Sequence, residues 1–224
     1  MRELVEYADR EMMMLDLANK LTGELAAALR SNDRATFCVP GGTTPGPIFD
    51  VLSEQALEWD RVSVVLNDER WVGEDSPRSN TALLRQKLLV SKASEATLIP
   101  LFKDGVTAEE GMAELSAGLL PHLPISVLLL GMGADMHTAS LFPGADNLAA
   151  ALASDAPLLM PMRAEGAGEP RITLTAPVLN GAMSKHVVIT GAEKREALER
   201  ARNLPPEQAP IRAVLAGATV HWAE

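Results

Sequence analysis

VLLLGMGADMHTASLFPG, residues 127–144, compresses the fold into one segment. Its first four residues form a continuous apolar run of strand length, the pattern of a strand covered on both faces in a parallel sheet. Gly131 and Gly133 break the run, an Asp-Met-His step follows at 135–137, and residues 138–142 suit the start of a helix. A buried strand that breaks at glycines and opens a helix is how α/β proteins build ligand sites. Here the loop carries an imidazole, His137, to the mouth of the sheet. Histidine is the side chain best matched to general-base work near neutral pH.

The same pattern recurs along the chain. Strands are predicted at 35–39, 62–66, 97–101, 127–130, 186–190 and 219–222, and helices at 45–54, 81–90, 108–119, 192–202 and 210–216. Residues 3–30 read as one amphipathic helix. Alternation of strands and helices predicts an α/β, Rossmann-like fold, a mainly parallel sheet with helices on both faces. No repeat or linker divides the 224 residues, so a single domain over 1–224 is expected.

The bulk properties narrow the partners. A formal net charge of −10 repels nucleic acid and anionic lipid, so neither is an expected partner. Mean hydropathy is +0.05, and no apolar run approaches the ~20 residues of a membrane helix. One cysteine, Cys38, excludes a disulfide framework, and with no signal-peptide pattern the expected location is cytoplasmic. A monomer or weak homo-oligomer is the expected state. An anionic small-molecule substrate would need a local basic pocket inside this acidic protein.

Four polar motifs follow four strands: PGGTTPG at 40–46, NDERWV at 67–72, GMGADMH at 131–137 and GAEK at 191–194. In a parallel sheet these loops share one edge, where α/β proteins bind ligands. Gly41 and Gly42 free backbone N–H groups to turn toward an oxyanion, and Thr43 adds a hydroxyl. Taken alone, that segment reads as a strand-to-helix turn, and it lacks the Gly-Lys-Ser/Thr of a P-loop. Asp68, Glu69 and Arg70 arrive together at a strand end, where Arg70 can grip a phosphate. Ser79-Asn80 reads as the cap of the helix from Thr81. Lys194 in a first helical turn is unfavourable against the helix dipole unless an anion is held there. Arg171 opens RITLT and is equally well a solvated charge. GMGADMH has two glycines of a dinucleotide fingerprint but Met136 at the third position, which argues against nicotinamide. His122, His186 and His221 read as structural, and Ser140 as a helix residue rather than a nucleophile. No Cys/His cluster suggests a metal.

The motifs PGGTTP, NDERWV with the later SN, GMGADMHTASLFPG, RITLT and TGAEK, in this order, resemble the 6-phosphogluconolactonases of the pentose phosphate pathway. The resemblance runs from about Val39 to Lys194. It implies an architecture shared with glucosamine-6-phosphate deaminases and ribose-5-phosphate isomerases, and hydrolysis of 6-phospho-D-glucono-1,5-lactone with no cofactor. It puts the catalytic histidine at His137 and the phosphate- and substrate-binding positions at Gly41, Gly42, Thr43, Arg70, Arg171 and Lys194. Two positions depart from the family pattern: Met136 stands where the family has Gly, and Pro40 where it often has Ser.

A lactone fits these residues. His137 would take a proton from water attacking the carbonyl, with Asp135 or Asp68 orienting the imidazole or binding sugar hydroxyls. The nearest alternative is a glucosamine-6-phosphate isomerase/deaminase-type enzyme. That family has Phe-Asn-Glu-Pro where this chain has Ser140-Leu-Phe-Pro143, and the missing Asn-Glu pair argues against it. A non-catalytic sugar-phosphate-binding module would keep the cations without needing His137.

Overall fold

The computed structural model describes residues 1–224. In chain order the elements begin β1 (Glu3–Glu6), α1 (Arg10–Ser31), β2 (Ala35–Val39), α2 (Gly46–Ser53), β3 (Val62–Leu66) and β4 (Asp68–Arg70). Then come α3 (Asn80–Lys87), β5 (Thr97–Ile99), α4 (Ala108–Leu119), β6 (Val127–Gly131), α5 (Leu148–Leu152) and β7 (Leu159–Met162). The chain closes with β8 (Arg171–Leu174), α6 (Ala176–Asn180), β9 (Ser184–Thr190), α7 (Ala192–Ala201), α8 (Arg212–Leu215) and β10 (Thr219–Ala223).

Seven strands form the main sheet in the order β1-β10-β9-β6-β2-β3-β5, and every neighbouring pair is parallel. Successive side chains of a strand point to opposite faces. All five residues of β2 and of β3 are buried, so both faces of the sheet are covered, as the apolar runs predicted. From β2 the chain moves outward to β3 and β5, then returns to the other flank of β2 with β6. The gap between the ends of β2 and β6 is therefore the switch point where ligands bind in open α/β sheets.

Helix α1 shows how the sequence builds this cover. Asp9 accepts a hydrogen bond from the Met12 amide and caps the helix. Met13, Leu17, Leu21, Leu25 and Leu29, spaced by four residues, lie on its buried side. Burying each such side chain contributes roughly 1.5–3 kcal/mol.

Three expectations are corrected. Residues 3–30 are not one helix: Glu3–Glu6 is strand β1, paired with β10 from Glu3↔Thr219 onward, and the helix starts only after the Asp9 cap. The ladder partner outweighs local helix propensity in so short a segment. NDERWV is not all loop. Its 68–70 step is β4 of a second, antiparallel sheet in the order β4-β8-β7, paired through Asp68↔Thr173 and Arg70↔Arg171. Residues 138–142 do not open a helix. They form a tight turn with a Thr138↔Leu141 bridge, and Ala139 has φ +49°, which a helix cannot hold. The next helix begins at Leu148.

Candidate active site

A cleft of about 290 Å³ opens at the carboxyl ends of β2 and β6. It is lined from the β2–α2 turn by Gly41, Gly42 and Thr43, from β4 by Asp68 and Arg70, and from the β6 loop by Gly133 and His137. Arg171 of β8 and Lys194 of α7 complete its wall. Asp135 does not line the cleft; it sits behind His137. The fold thus brings together residues scattered from 41 to 194 in sequence.

The β6 loop is built around the imidazole. The Gly133 amide donates to the His137 carbonyl (3.0 Å) and the Met136 amide donates to the Gly133 carbonyl (2.9 Å), closing a tight turn. Met136 lies at its corner with φ +69°, the left-handed region that costs an L-residue about 1–2 kcal/mol. Asp135 Oδ1 accepts from the His137 amide (3.1 Å) and lies 2.5 Å from His137 Nδ1. Burial works against the charged form of Asp135, but the hydrogen bonds and charge of His137 outweigh it and hold the carboxyl below its ordinary pKa. Of the two carboxylates named from sequence, Asp135 is the one that orients the imidazole.

Asp68 is engaged elsewhere. The buried Ser140 hydroxyl donates to its Oδ2, and Arg171 Nη1 stands 3.7 Å from the same oxygen. Ser140 is neither a helix residue nor placed as a nucleophile; it anchors Asp68. Strand alternation explains the NDER motif: Asp68 and Arg70 face the cleft, and Glu69 between them is turned away and fully buried.

The three cations converge. Burial pushes the Arg171 guanidinium below its ordinary pKa, Asp68 pushes it up, and the neighbouring Arg70 pushes it down again. Arg70 Nη1 donates to the Arg78 carbonyl (2.6 Å). Arg70 Nε and Arg171 Nε are buried with no partner in the protein. Each such donor costs about 1–3 kcal/mol if left unmet, and both belong to side chains that line the cleft. Lys194 makes no ion pair with a carboxylate. No group of three or more His, Cys, Asp or Glu side chains gathers as a metal ion needs.

Three further residues shape the site, of which sequence reasoning names Asn80 as a helix cap, Asn67 only within NDERWV and Phe142 only within HTASLFPG. Phe142 stands between the two chemical ends of the site, 4.5 Å from the His137 ring and 5.1 Å beneath the Arg171 guanidinium. Asn80 packs so closely on Gly41 that a Cβ there would fall 2.0 Å from its Oδ1. Asn67 is buried with Oδ1 unpartnered at the cleft wall. The apolar position of Phe142 in HTASLFPG was visible; its contacts were not.

A parallel sheet with an imidazole–carboxylate pair and three cations gathered at its switch point is the arrangement of an α/β enzyme acting on a small anionic molecule. The chain belongs to the family of glucosamine-6-phosphate isomerases/6-phosphogluconolactonase, whose model matches residues 8–222. A 6-phosphogluconolactonase of Mesorhizobium japonicum is 41% identical over 225 residues, covering 97% of this chain and 93% of that protein. One from Pseudomonas aeruginosa is 39% identical, covering 92% and 88%. The crystal structure of a 6-phosphogluconolactonase from Shewanella baltica superposes with a TM-score of 0.96 at 31% identity, over 100% of this chain and 98% of that one. The same architecture recurs in the Thermotoga maritima 6-phosphogluconolactonase with a TM-score of 0.82, at 24% identity and with 99% and 98% of the two chains covered.

Proposed function

We propose that this chain hydrolyses 6-phospho-D-glucono-1,5-lactone to 6-phospho-D-gluconate, with His137 as general base. The observation that carries the reading is the cleft itself: an oriented imidazole shares it with Arg70, Arg171 and Lys194. Relatives at about two-fifths identity are named for this lactonase, and Leu141-Phe142 stands where the deaminases carry Asn-Glu.

Asp135 accepts a hydrogen bond from Nδ1–H, which leaves the Nε2 lone pair of His137 as the base. A water placed there loses its proton to Nε2 as its oxygen attacks the lactone carbonyl. The tetrahedral oxyanion needs donors, and those at hand are the glycine-loop N–H groups and Arg70. When the ring C–O bond breaks, the His137 imidazolium returns the proton to the leaving ring oxygen. Arg171 and Lys194 hold the distal phosphate and so fix where C1 lies. Phe142 supports the imidazole and Arg171 on one ring.

The test is turnover of freshly made 6-phosphogluconolactone above its spontaneous hydrolysis, run beside ammonia release from glucosamine 6-phosphate. The expected result is catalysed hydrolysis of the lactone and no ammonia. Ammonia release without lactone turnover would replace this reading with the deaminase one.

A further inference from the structure

We infer that Glu69 is a positioning residue for Arg70, an inference that rests on the lactonase reading above. Glu69 is fully buried and makes no salt bridge. Its carboxylate accepts five hydrogen bonds instead. Oε1 takes the amides of Arg70 (2.7 Å) and Asn80 (2.8 Å). Oε2 takes the Thr81 amide (2.7 Å), the Thr81 hydroxyl (2.8 Å) and the Ser79 hydroxyl (3.3 Å).

These donors come from two places only. One is β4 at Arg70 itself, and the other is the first turn of α3 at 79–81. A carboxylate is favourable at a helix N-terminus, where the dipole and unpaired amides meet it. That explains how the charge is tolerated. It does not explain why the second segment is Arg70.

The guanidinium supplies the reason. Arg70 Nη1 donates to the carbonyl of Arg78, the residue just before the clipped turn. The backbone of Arg70 and the acceptor at its tip are therefore both tied to the segment that Glu69 holds. Glu69 fixes the two ends of the Arg70 side chain relative to each other without entering the cleft. Arg70 Nε, buried and unpartnered, is then held at one place on the cleft wall. A long cationic side chain without such a frame loses ordering entropy each time it grips a ligand; the frame removes that cost in advance.

The experiment is a double-mutant cycle on the full chain. Glu69→Gln keeps the shape but turns an acceptor into a donor. KM for 6-phosphogluconolactone should rise about tenfold, in line with the loss from a small misplacement of a gripping group. The same substitution in an Arg70→Ala background should change KM by less than about twofold, since there is nothing left to position. Thr107→Ala, which removes the cap of α4 at a residue that does not line the cleft, controls for lost stability. It should lower Tm and leave KM unchanged. An unchanged KM in Glu69→Gln, or an equal rise in both backgrounds, overturns the inference. If Glu69→Gln does not fold, Thr81→Val removes one of the five donors. It should raise KM in the same direction, and only with Arg70 present; no rise overturns the inference. A wild-type protein that does not turn over the lactone would instead refute the proposed function.

Discussion

Asp135 Oδ1 lies 2.5 Å from His137 Nδ1, and this contact exists because residue 133 has no side chain. A Cβ on Gly133 would fall 2.2 Å from His137 Nδ1 and 2.5 Å from Asp135 Oδ1. The second glycine of GMG is thus explained by the close approach of the pair, and nucleotide binding is not needed to account for it.

Gly133→Ala should therefore displace the imidazole without unfolding the protein. Its φ is not in the left-handed region, so alanine is acceptable to the backbone. We expect kcat to fall about 10–100-fold, the scale of a misplacement near 1 Å, with a far-ultraviolet circular dichroism spectrum like the wild type. Undiminished kcat would mean that the pair does not need this geometry.

His137→Ala removes the proposed base. General-base catalysis contributes about 10²–10⁴-fold, so kcat should drop by that factor while product affinity, read by calorimetry with 6-phosphogluconate, is kept. Asp135→Asn should give a smaller loss in the same direction. Near wild-type turnover in His137→Ala would remove the histidine from the mechanism.

Lys194→Ala tests the phosphate grip. A charge-assisted bond to phosphate contributes about 1.5–3 kcal/mol. KM should rise for the phosphorylated lactone far more than for glucono-1,5-lactone. Arg171→Ala should do the same and also lower Tm, because it strips Asp68 of a buried neighbour. Equal losses on the two lactones would show that neither residue reads the phosphate.

Met136 holds φ +69°, at the position where the motif resemblance leads one to expect glycine. Glycine relieves about 1–2 kcal/mol of strain but gives back roughly 0.5–1 kcal/mol through the freer unfolded chain. Met136→Gly should stay within about 1 kcal/mol of wild type in chemical denaturation and keep full turnover. Met136→Val, β-branched and poorly suited to positive φ, should lose both stability and activity. A Val variant as stable as wild type would show that the corner relaxes freely.

His221 is fully buried in a relay from Tyr7 (2.9 Å) through His186 (3.0 Å) to Glu24 (2.8 Å). Burial, reinforced by the charges of His186 and Lys20 and opposed by Asp16 and Glu24, pushes its pKa down to about 3. Below the unfolded value near 6.5 the unfolded chain takes a proton that the folded chain refuses. Stability is thus whole above pH 6.5 and falls on acidification toward pH 3, at up to about 1.4 kcal/mol per pH unit from this group. The Cε1 proton resonance of His221 should not titrate between pH 7 and 5; a midpoint near 6.5 would refute the buried neutral state.

Local signals carried most of the main sheet. Apolar runs at 35–39 and 62–66 became β2 and β3 with no change of boundary, and Ala108–Leu119 became α4 between its Thr107 capping box and Leu120. Parallel strands buried on both faces and capped helices announce themselves within a few residues. The cleft's position followed as well, because loops after parallel strands must share an edge, and PGGTTP, GMGADMH and TGAEK follow such strands. What stayed hidden depends on partners far along the chain. β4 is three residues long and is a strand only because Asp68 meets Thr173. β1 exists only because β10 offers it a free edge. The choice of Asp135 over Asp68 as the imidazole's partner, the seat of Phe142 under both His137 and Arg171, and the donors gathered on Glu69 are decided by side-chain contacts in the folded chain. Periodicity and spacing specify which face a residue takes; only packing of the completed chain specifies what it touches there.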